Sequence, residues 1–411
     1  MTMNNIKYDI AIIGAGPAGI MAAILVAKNG KKVVLLEKNE KIGRKILATG
    51  NGRCNITNKY ITEKNYRGAD KYFILDVLRQ FNQEATIEFF ESLGLILKEE
   101  NNGRMFPRTN QASSVVELLN HELKKQNVTV LTGFEVKNIE NNTHWLIGSA
   151  DGKMIESNKL IMATGGRAAH HLGSSGDGLH WANKLGHSLS PIYPALVPIE
   201  TVETWTKEVS GVKLEANVSV EFEGKIISSK FGDLLFTHFG LSGPAIMAQS
   251  SMIAPLLEKN KVKLIIDIFP ELLKEELDKK LALILANSGA KTVKNSLLGV
   301  APASILPIIL RDASIDTNKK SAEISKAERI RIVDAMKKMT LLVKELRPFR
   351  EAQVTSGGVN LVEVNAKTLE SKIVPNLYFA GEILDVDGDS GGFNLQWAWS
   401  SGYVAGSSAA S

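Results

Sequence analysis

The strongest constraint on this chain is a glycine-rich turn that follows a short apolar stretch near its N-terminus. Residues 7–38 read KYDIAIIGAGPAGIMAAILVAKNGKKVVLLEK. The pattern predicts, in order, a strand at 10–13, a turn at 14–19, a helix at about 17–28 and a strand at 33–36. Glu37 follows Gly14 by 23 positions, near the spacing expected of an acid that binds a ribose. The segment therefore predicts a βαβ unit that binds a dinucleotide.

Each glycine of this turn has its own expected role. Gly14 permits the tight turn, Gly16 lets the backbone approach a pyrophosphate, and Gly19 lets the helix pack closely on the strand. The helix N-terminus offers free N–H groups and a positive dipole end to the phosphates. Glu37 can accept hydrogen bonds from ribose hydroxyls and would repel a 2′-phosphate, and its placement disfavours a turn without a ligand. The predicted contacts are Gly14, Ala15, Gly16, Pro17, Ala18, Gly19, Glu37 and Lys38.

The composition narrows the class of protein. The 411 residues predict two or three domains. A net charge of +5 fits an anionic ligand, and without a basic tract interleaved with aromatic residues it disfavours nucleic acid as a partner. The single cysteine, Cys54, excludes an intramolecular disulfide and any mechanism that needs two redox-active thiols in one chain, and it suits a reducing cytoplasm.

Two further classes of protein are disfavoured by the sequence. Residues 10–27 carry no charge over 18 positions, but the glycines of the turn interrupt the run, so we expect neither a signal segment nor a membrane span. The chain lacks HExxH, CxxC and paired-carboxylate patterns, so no metal site is predicted. These observations predict a cytoplasmic enzyme or binding protein without a membrane anchor.

A second glycine-rich stretch lies at 41–58 and reads KIGRKILATGNGRCNITN. Its glycines can bring the backbone close to a ligand, and its cations can meet phosphate or flavin oxygens. The alternative is an ordinary surface turn. The candidate cofactor contacts here are Arg44, Lys45, Gly52, Arg53 and Cys54.

Further along the chain, the apolar strand of 159–166 ends in Thr-Gly-Gly, as a strand does when it passes beneath a ligand. Its candidates are Ala163, Thr164 and Gly165. In two-dinucleotide-fold flavoproteins a backbone segment equivalent to 133–140 meets the adenine, which makes Val136 a candidate. The periodicity also predicts one amphipathic helix over 71–93, and Asp177 is suited to cap a helix.

The pattern changes after His187. A segment with three prolines, 190–200, reads as a crossover out of the first domain. Strand-like stretches flank Glu223-Gly224 as a hairpin, 261–269 reads as a further strand, and 270–345 is dominated by helical patterns. We therefore expect a FAD-type domain formed by 1–190 and 351–411, interrupted by an inserted substrate or cap domain at 191–350. The insert divides into a β part at about 191–255 and 325–350 and a helical part at about 256–324.

The C-terminal segment 376–406 specifies which dinucleotide is expected. A short strand ends in Gly381-Glu382, a turn follows, and a helix begins near Phe393. Many FAD enzymes hold the flavin end of the extended cofactor with such a unit. Gly381 and Glu382 can meet the ribityl or phosphate region, and the helix dipole can stabilise charge at the flavin N1–C2=O edge. The helix-start candidates are Gly392, Phe393, Asn394 and Leu395.

Taken together, these segments resemble the BaiN/RdsA-type bacterial flavoprotein family. The resemblance rests on GAGPAGIMAA at 14–23, GRKILATGNGRCNITN at 43–58, LLFTHFGLSGPAI at 234–246, VTSGGV at 354–359 and AGEILDVDGDSGGFNLQWAWSSG at 380–402. Members are commonly labelled NAD(FAD)-utilising dehydrogenases and include an aminoacetone oxidase and a bile-acid enone reductase. The resemblance implies an α/β fold, with a discontinuous Rossmann-like FAD-binding domain into which a β-barrel-like domain and a small helical domain are inserted. It implies non-covalent FAD and leaves the substrate open.

Few residues can handle protons beside such a cofactor. The catalytic candidates are His238 in the FTHFG loop, with Arg347 and Arg350 at the return into the FAD domain. The alternatives are a packed histidine and structural ion pairs. Cys54 can touch the flavin, act as a lone redox thiol, or simply fill space in the core.

The expected function is hydride transfer between the flavin and either a small organic substrate or NAD(P)H, as a reductase or dehydrogenase. No second GxGxxG unit with its strand and acid occurs, so NADH or NADPH, if used, is expected to bind transiently. Two alternatives stay open. One is an amine oxidase that passes electrons to oxygen, and the other is a flavin-binding protein whose redox state controls an interaction. The oligomeric state is not indicated.

Overall fold

The computed structural model describes residues 7–411, and their contacts divide the chain into two compact units. Unit 1 combines the described residues up to Tyr193 with Gln353–Ser411, and unit 2 is Pro194–Ala352. Each unit has its own hydrophobic core. The predicted divisions lie after 190 and after 350.

The helices and strands are numbered along the described residues. The α-helices are α1 Pro17–Lys28, α2 Arg44–Ala48, α3 Lys71–Gln80, α4 Gln83–Ser92, α5 Ala112–Lys125, α6 Asp177–Lys184, α7 Pro244–Met247, α8 Ser250–Leu257, α9 Lys274–Ala286, α10 Val293–Ser296, α11 Leu306–Asp312, α12 Lys326–Lys337 and α13 Phe393–Ala410. The strands are β1 Lys7–Ile13, β2 Val33–Leu36, β3 Thr57–Asn58, β4 Tyr66–Arg67, β5 Leu97–Glu100, β6 Arg104–Pro107, β7 Thr129–Leu131, β8 Val136–Asn141, β9 Trp145–Ser149, β10 Met154–Met162, β11 Tyr193–Ala195, β12 Ile199–Thr201, β13 Lys213–Phe222, β14 Lys225–Phe236, β15 Gly240–Ser242, β16 Val262–Asp267, β17 Met339–Leu346, β18 Val354–Ser356, β19 Leu377–Phe379 and β20 Asp387–Gly388.

Unit 1 is built on a seven-stranded sheet. Its order is β7-β2-β1-β10-β9-β8, and β19 also pairs with β10. The strands β7, β2, β1, β10 and β19 are parallel, whereas β9 and β8 pair antiparallel. β1 and β2 are almost continuously apolar and buried, as expected of parallel strands covered on both faces.

Unit 2 contains a closed barrel. Its strand order is β12-β15-β14-β13-β16-β17, with β17 returning to β12. The hairpin β13–β14 turns at Glu223-Gly224, where both residues adopt positive φ values of 50° and 77°, as a two-residue hairpin turn requires. The α/β fold with an inserted barrel that the resemblance implies is thus confirmed.

Three local expectations differ from the structure. The predicted helix over 71–93 is two helices, α3 and α4, because the Asn82 side chain accepts a hydrogen bond from Ala85 N (2.9 Å) and starts a new helix. Asp177 does not cap α6: Gly176 occupies that position, and Asp177 is the first helical residue. In unit 2, β16 lies inside the range assigned to the helical part, and α12 lies inside the range assigned to the β part.

Candidate cofactor site

The candidate site begins at one edge of the parallel sheet, where four strands end. Gly14 follows β1, Glu37 follows β2, Ala163 follows β10, and Ala380-Gly381 follows β19. Backbone hydrogen bonds tie these ends together: Gly14 N donates to Leu36 O (2.8 Å), Ala163 N to Ile13 O (2.9 Å), and Ala380 N to Met162 O (3.0 Å). The carboxyl edge of a parallel sheet is where open α/β folds bind ligands.

The three glycines of the first turn differ in what surrounds them. Gly14 has a φ of +101°, and a Cβ there would lie 2.4 Å from Ala163 O. A Cβ on Gly19 would lie 1.9 Å from Gly14 O. A Cβ on Gly16 would meet no atom within 4 Å. Fold contacts therefore explain two glycines, whereas Gly16 leaves open space at the start of α1, which no described side chain caps.

Glu37 is fixed against this turn. Its carboxylate accepts hydrogen bonds from Ala15 N (2.9 Å) through Oε2, and from Asn39 N (2.9 Å) and Asn39 Nδ2 (2.6 Å) through Oε1. The residue is only 8% exposed. Because a carboxylate has about four lone-pair sites, the free capacity lies on Oε2, which can still accept from a hydroxyl. Its neighbour Lys38 pairs with Asp177 at 3.0 Å.

The cations of the second glycine-rich stretch are paired with protein groups. Arg44 donates to Asn39 Oδ1 (2.6 Å), and Lys45 forms an ion pair with Glu382. Arg53 pairs with Glu100 at 3.0 Å and its guanidinium lies 4.1 Å from the centroid of the Phe106 ring. These three cations therefore tie the stretch to other segments of unit 1.

Cys54 is fully buried in this stretch, with a positive φ of 62°. Burial raises the pKa of its thiol to about 12, against a smaller lowering by a hydrogen bond with Thr49. At neutral pH the side chain is therefore a protonated thiol, which is a poor nucleophile. Gly52, two residues earlier, has a φ of +80°.

The C-terminal part of unit 1 fixes the end of β19 in place. Gly381 N donates to Ser401 Oγ (2.8 Å), and Gly381 O accepts from Trp397 Nε1 (3.1 Å), so α13 holds the end of β19. Glu382 accepts from Thr355 N at 2.8 Å in addition to pairing with Lys45. The structure therefore brings the predicted N-terminal and C-terminal contacts into one unit.

Helix α13 starts at Gly392, which has a φ of +101° and no side-chain cap from the described residues. The Asn394 side chain is engaged with the preceding turn, since it accepts from Gly388 N and donates to Gly388 O, both at 2.8 Å. Phe393 and Leu395 are buried. The first turn of the helix can therefore offer backbone N–H groups rather than side chains to a ligand.

The remaining predicted contacts of unit 1 lie near the same sheet edge. Val136 begins β8 and is buried, and the nearby Phe134 N donates to Glu37 O (2.9 Å). Ala163, Thr164 and Gly165 follow β10 directly, with Gly165 at a φ of +72°.

The catalytic candidates lie in unit 2. His238 is exposed in the turn between β14 and β15, and its ring lies 4.9 Å from that of Phe239. The Arg347 guanidinium lies 4.4 Å from the centroid of the same Phe239 ring. Phe239 thus connects these two candidates.

The two arginines are engaged to different degrees. Arg347 forms ion pairs with Glu351 (2.9 Å) and Glu200 (3.1 Å). The Arg350 side chain is 66% exposed and lies 3.7 Å from Glu351. Arg347 is therefore held in place by the unit itself, and Arg350 is largely open to solvent.

Sequence reasoning missed three polar residues of unit 1: Asn55, Thr355 and Ser401. Thr355 Oγ1 accepts from Arg167 N (2.8 Å) and Ala168 N (2.9 Å), and Ser401 holds Gly381. The Thr355 contacts join segments far apart in the chain, and the Ser401 contact spans 20 positions, so neither follows from the periodicity of one helix or strand.

None of the helices within 7–411 combines the length and the apolar character that crossing a bilayer requires. Across the same residues, no group of three or more His, Cys, Asp or Glu side chains is arranged to hold a metal ion.

Comparison with solved structures supports the fold. The chain is similar to the open conformation of a flavocytochrome c3 fumarate reductase, with a TM-score of 0.50, 15% identity, and coverage of 100% of this chain and 79% of that one. It is also similar to a quinol-fumarate reductase with menaquinol, with a TM-score of 0.51, 15% identity, and coverage of 99% and 71%. At these identities the likeness concerns the fold alone.

Comparison with known sequences supplies the family. Residues 8–408 match the family described as HI0933-like protein Rossmann domain. The chain is 38% identical to 3-dehydro-bile acid delta(4,6)-reductase of Clostridium scindens over 404 residues, covering 98% of each. It is 31% identical to ribosomal RNA dihydrouridine synthase of Escherichia coli over 403 residues, covering 97% of each. The predicted resemblance is confirmed: the chain belongs to the HI0933-like Rossmann-domain family of flavin-dependent oxidoreductases.

Proposed function

We propose that this chain holds FAD non-covalently in unit 1 and uses it to reduce a small organic substrate. Gly16 carries the proposal. The fold accounts for Gly14 and Gly19 through backbone contacts, yet the space that a Cβ would fill at Gly16 is open beside an uncapped helix start. That combination of free N–H groups and close backbone access is what a pyrophosphate needs.

The predicted contacts fit a cofactor that extends between the starts of two helices. Residues 14–19 and the start of α1 would hold the pyrophosphate, Glu37 the ribose hydroxyls, and the backbone near Val136 the adenine. Gly381, Glu382 and the start of α13 would hold the ribityl chain and the flavin. When bound, FAD supplies two-electron hydride chemistry.

The substrate class is inferred from the full-length relatives. Both names, a delta(4,6)-reductase and a dihydrouridine synthase, describe reductions of double bonds. We infer that this chain likewise adds a hydride and a proton across a carbon–carbon double bond activated by a carbonyl. A small molecule is favoured over RNA because the relative with the higher identity, 38% against 31%, is the bile-acid reductase.

His238 is the candidate for supplying the proton, because its ring is exposed and therefore open to a ligand. Arg347, fixed by Glu200 and Glu351, would position the His238 turn through Phe239. Arg350 is a candidate for binding the carbonyl oxygen. The reductant is proposed to be NADH or NADPH, bound transiently, because the sequence has no second dinucleotide-binding unit.

The test is an anaerobic titration of the purified, FAD-loaded protein. NADH and NADPH are each mixed with it in a stopped-flow instrument, and a conjugated enone is then added. Oxidised flavins absorb at roughly 450 nm, and two-electron reduction of the cofactor bleaches this band. We expect one of the two nicotinamides to bleach it and the enone to restore it. His238→Gln should slow the second step while leaving the first unchanged.

Each contrary result points to a different function. Failure to take up FAD overturns the proposal entirely. Bleaching by an amine without nicotinamide, with peroxide formed in air, would show an oxidase. Return of colour with uridine-containing RNA but not with the enone would show an RNA-modifying enzyme. Tight FAD without turnover on any of these would favour a redox-responsive binding protein.

A further inference from the structure

The side chain of Asn55 has an unexplained buried oxygen. Asn55 is 8% exposed, and its Oδ1 has no hydrogen-bond partner among the residues that the structure describes. Leaving a buried polar atom unpaired destabilises a protein, so such atoms usually have a partner. Two other atoms share this state within 7–411, Trp145 Nε1 and Gln249 Oε1. Asn55 is distinguished by what lies next to it.

The neighbour of this oxygen is the start of α13. A Cβ on Gly392, the residue that precedes the helix, would lie 3.0 Å from Asn55 Oδ1 and 2.5 Å from Thr57 O. The segment that leads from Asn55 into β3 therefore packs directly on the helix start, and any side chain at Gly392 would collide with the Thr57 carbonyl.

The position of Asn55 is fixed by hydrogen bonds on its C-terminal side. Ile56 N donates to Met105 O (2.9 Å), and Thr57 pairs with β6. Asn58 Nδ2 donates to Gly391 O (2.9 Å), which ties the same segment to the turn before α13. The backbone that follows Asn55 is thus held against both β6 and the turn before α13.

Of the two polar groups beside Gly392, one donates hydrogen bonds and the other accepts them. The first turn of α13, an 18-residue helix without a side-chain cap or an acidic residue in that turn, offers backbone N–H donors and a positive dipole end. Asn55 Oδ1 offers an acceptor. A ligand that satisfies both must present a hydrogen-bond acceptor and an N–H side by side on one edge, and a cyclic imide is a group with this pattern.

We propose that Asn55 Oδ1 accepts the N3–H of the isoalloxazine ring while the start of α13 faces the adjacent C2 carbonyl. This inference rests on the proposed FAD site and adds a cofactor-binding residue to it. A uracil base presents the same imide edge, so the experiment includes it as a separate ligand.

The experiment compares FAD with N3-methyl-FAD, which cannot donate from N3 and carries a methyl group where the buried oxygen lies. Apoprotein is prepared, and each flavin is titrated in by fluorescence quenching. We expect the wild-type protein to bind FAD at least about 30-fold more tightly than N3-methyl-FAD, from the lost hydrogen bond and the added bulk. In Asn55→Ala, which removes the acceptor and makes room for the methyl group, the ratio should fall to about threefold or less.

The matched control is Gln249→Ala, which removes the other buried amide oxygen without a partner, in unit 2. It should lower the stability of the protein but leave the ratio of the two affinities unchanged. Because the wild-type ratio is measured without any substitution, the inference stays testable even if Asn55→Ala fails to fold.

The outcomes separate this inference from the proposed function. Equal wild-type affinities for FAD and N3-methyl-FAD would overturn the Asn55 contact and leave the FAD site intact. A ratio that survives Asn55→Ala would assign the N3 discrimination to another group. Absence of FAD binding would overturn the proposed function itself, and binding of free uridine in its place would show that the imide edge belongs to a nucleobase.

Discussion

Helices α1 and α13 start in similar ways but in different surroundings. Each follows a glycine, Gly16 or Gly392, and has neither a side-chain cap among the described residues nor an acidic residue in its first turn. In contrast, α3 and α4 are capped by Asp70 and Asn82. An uncapped start leaves backbone donors for something else to satisfy.

The difference between the two starts lies in the polar group beside each. At α1 the acid Glu37 accepts from Ala15 N, a contact within one βαβ unit. At α13 the amide oxygen of Asn55 has no described partner, and the two residues that meet there are more than 300 positions apart in the chain. One end of the candidate site is thus built by a local motif and the other by long-range packing.

The two helices are joined by a close crossing. A Cβ on Gly402 would lie 2.4 Å from Ala18 O, and one on Gly406 would lie 2.7 Å from Ala22 O. No side chain fits between the backbones there, so the crossing sets the distance between the two helix starts. Substitutions at the crossing, at one helix start or at neither therefore distinguish effects on folding from effects on FAD binding.

The largest effect is expected at the crossing. Gly406→Val should lower the free energy of unfolding by about 3 kcal/mol or more, since the new side chain must displace the backbone of α1. Urea unfolding of the apoprotein measures it. Ser408→Val, two positions away on a half-buried part of the same helix, controls for the change in helix propensity. Equal midpoints for the two variants would mean that the helices do not cross so closely.

The next effect separates ligand binding from folding at α1. Gly16→Ala should keep the apoprotein within about 1 kcal/mol of the wild-type stability, since its Cβ meets no protein atom. It should weaken FAD binding by roughly 100-fold, because the methyl group occupies the space that a pyrophosphate needs. Calorimetry with FAD measures the affinity.

Gly19→Ala is the matched control for that variant. Its Cβ would lie 1.9 Å from Gly14 O, so the loss should appear in folding whether or not FAD is present. If Gly16→Ala bound FAD as tightly as the wild-type protein, the open space at Gly16 would have no ligand to explain it.

A smaller effect is expected at Glu37. Glu37→Ala leaves Ala15 N without its acceptor and should lower the free energy of unfolding of the apoprotein by about 1–3 kcal/mol. Glu37→Gln keeps one acceptor oxygen in place of two, since Ala15 N and Asn39 N donate to different oxygens, and should recover only part of that loss. For FAD affinity, both variants should be weaker than wild type, with Ala the weaker of the two. A fully stable Glu37→Ala apoprotein would show that the turn does not depend on the carboxylate.

The sequence predicts one end of the site far better than the other, for a physical reason. The turn, the helix and Glu37 lie within about 30 consecutive residues, and their roles follow from backbone geometry that a local pattern encodes. The α/β fold, the inserted barrel and the family were likewise predicted from motifs. Asn55 and Thr355 lie against segments far away in the chain, Ser401 contacts Gly381 20 positions away, and whether a buried amide oxygen finds a partner depends on packing that no spacing rule reports.

The smallest effect concerns a part of unit 1 that belongs to neither helix start. His187 is buried, its Nε2 lies 2.8 Å from Ser371 Oγ, and its Nδ1 lies 3.2 Å from Glu363 Oε2. Burial lowers the pKa of His187, and this outweighs the raising effect of Glu363. Burial alone would raise the pKa of Glu363, but hydrogen bonds from Ser188 bring it below its usual value.

The sign of the pH effect follows from these shifts. Because the pKa of His187 is lower in the folded protein than in the unfolded chain, the unfolded chain binds the proton more readily as the pH falls through about 6.5, and stability decreases toward acid. We compare urea unfolding of the apoprotein at pH 8 and pH 5.5, about one unit or more on either side of the ordinary histidine pKa. The free energy of unfolding should be lower at the lower pH, and the decrease should be smaller in His187→Gln than in the wild-type protein. FAD affinity at these two values should change alike in both proteins, since His187 contacts neither helix start among its described hydrogen bonds. If His187→Gln lost as much stability at the lower pH as the wild-type protein, the acid sensitivity would belong to other groups. If that variant selectively lost FAD affinity, the surroundings of His187 would be linked to the cofactor site.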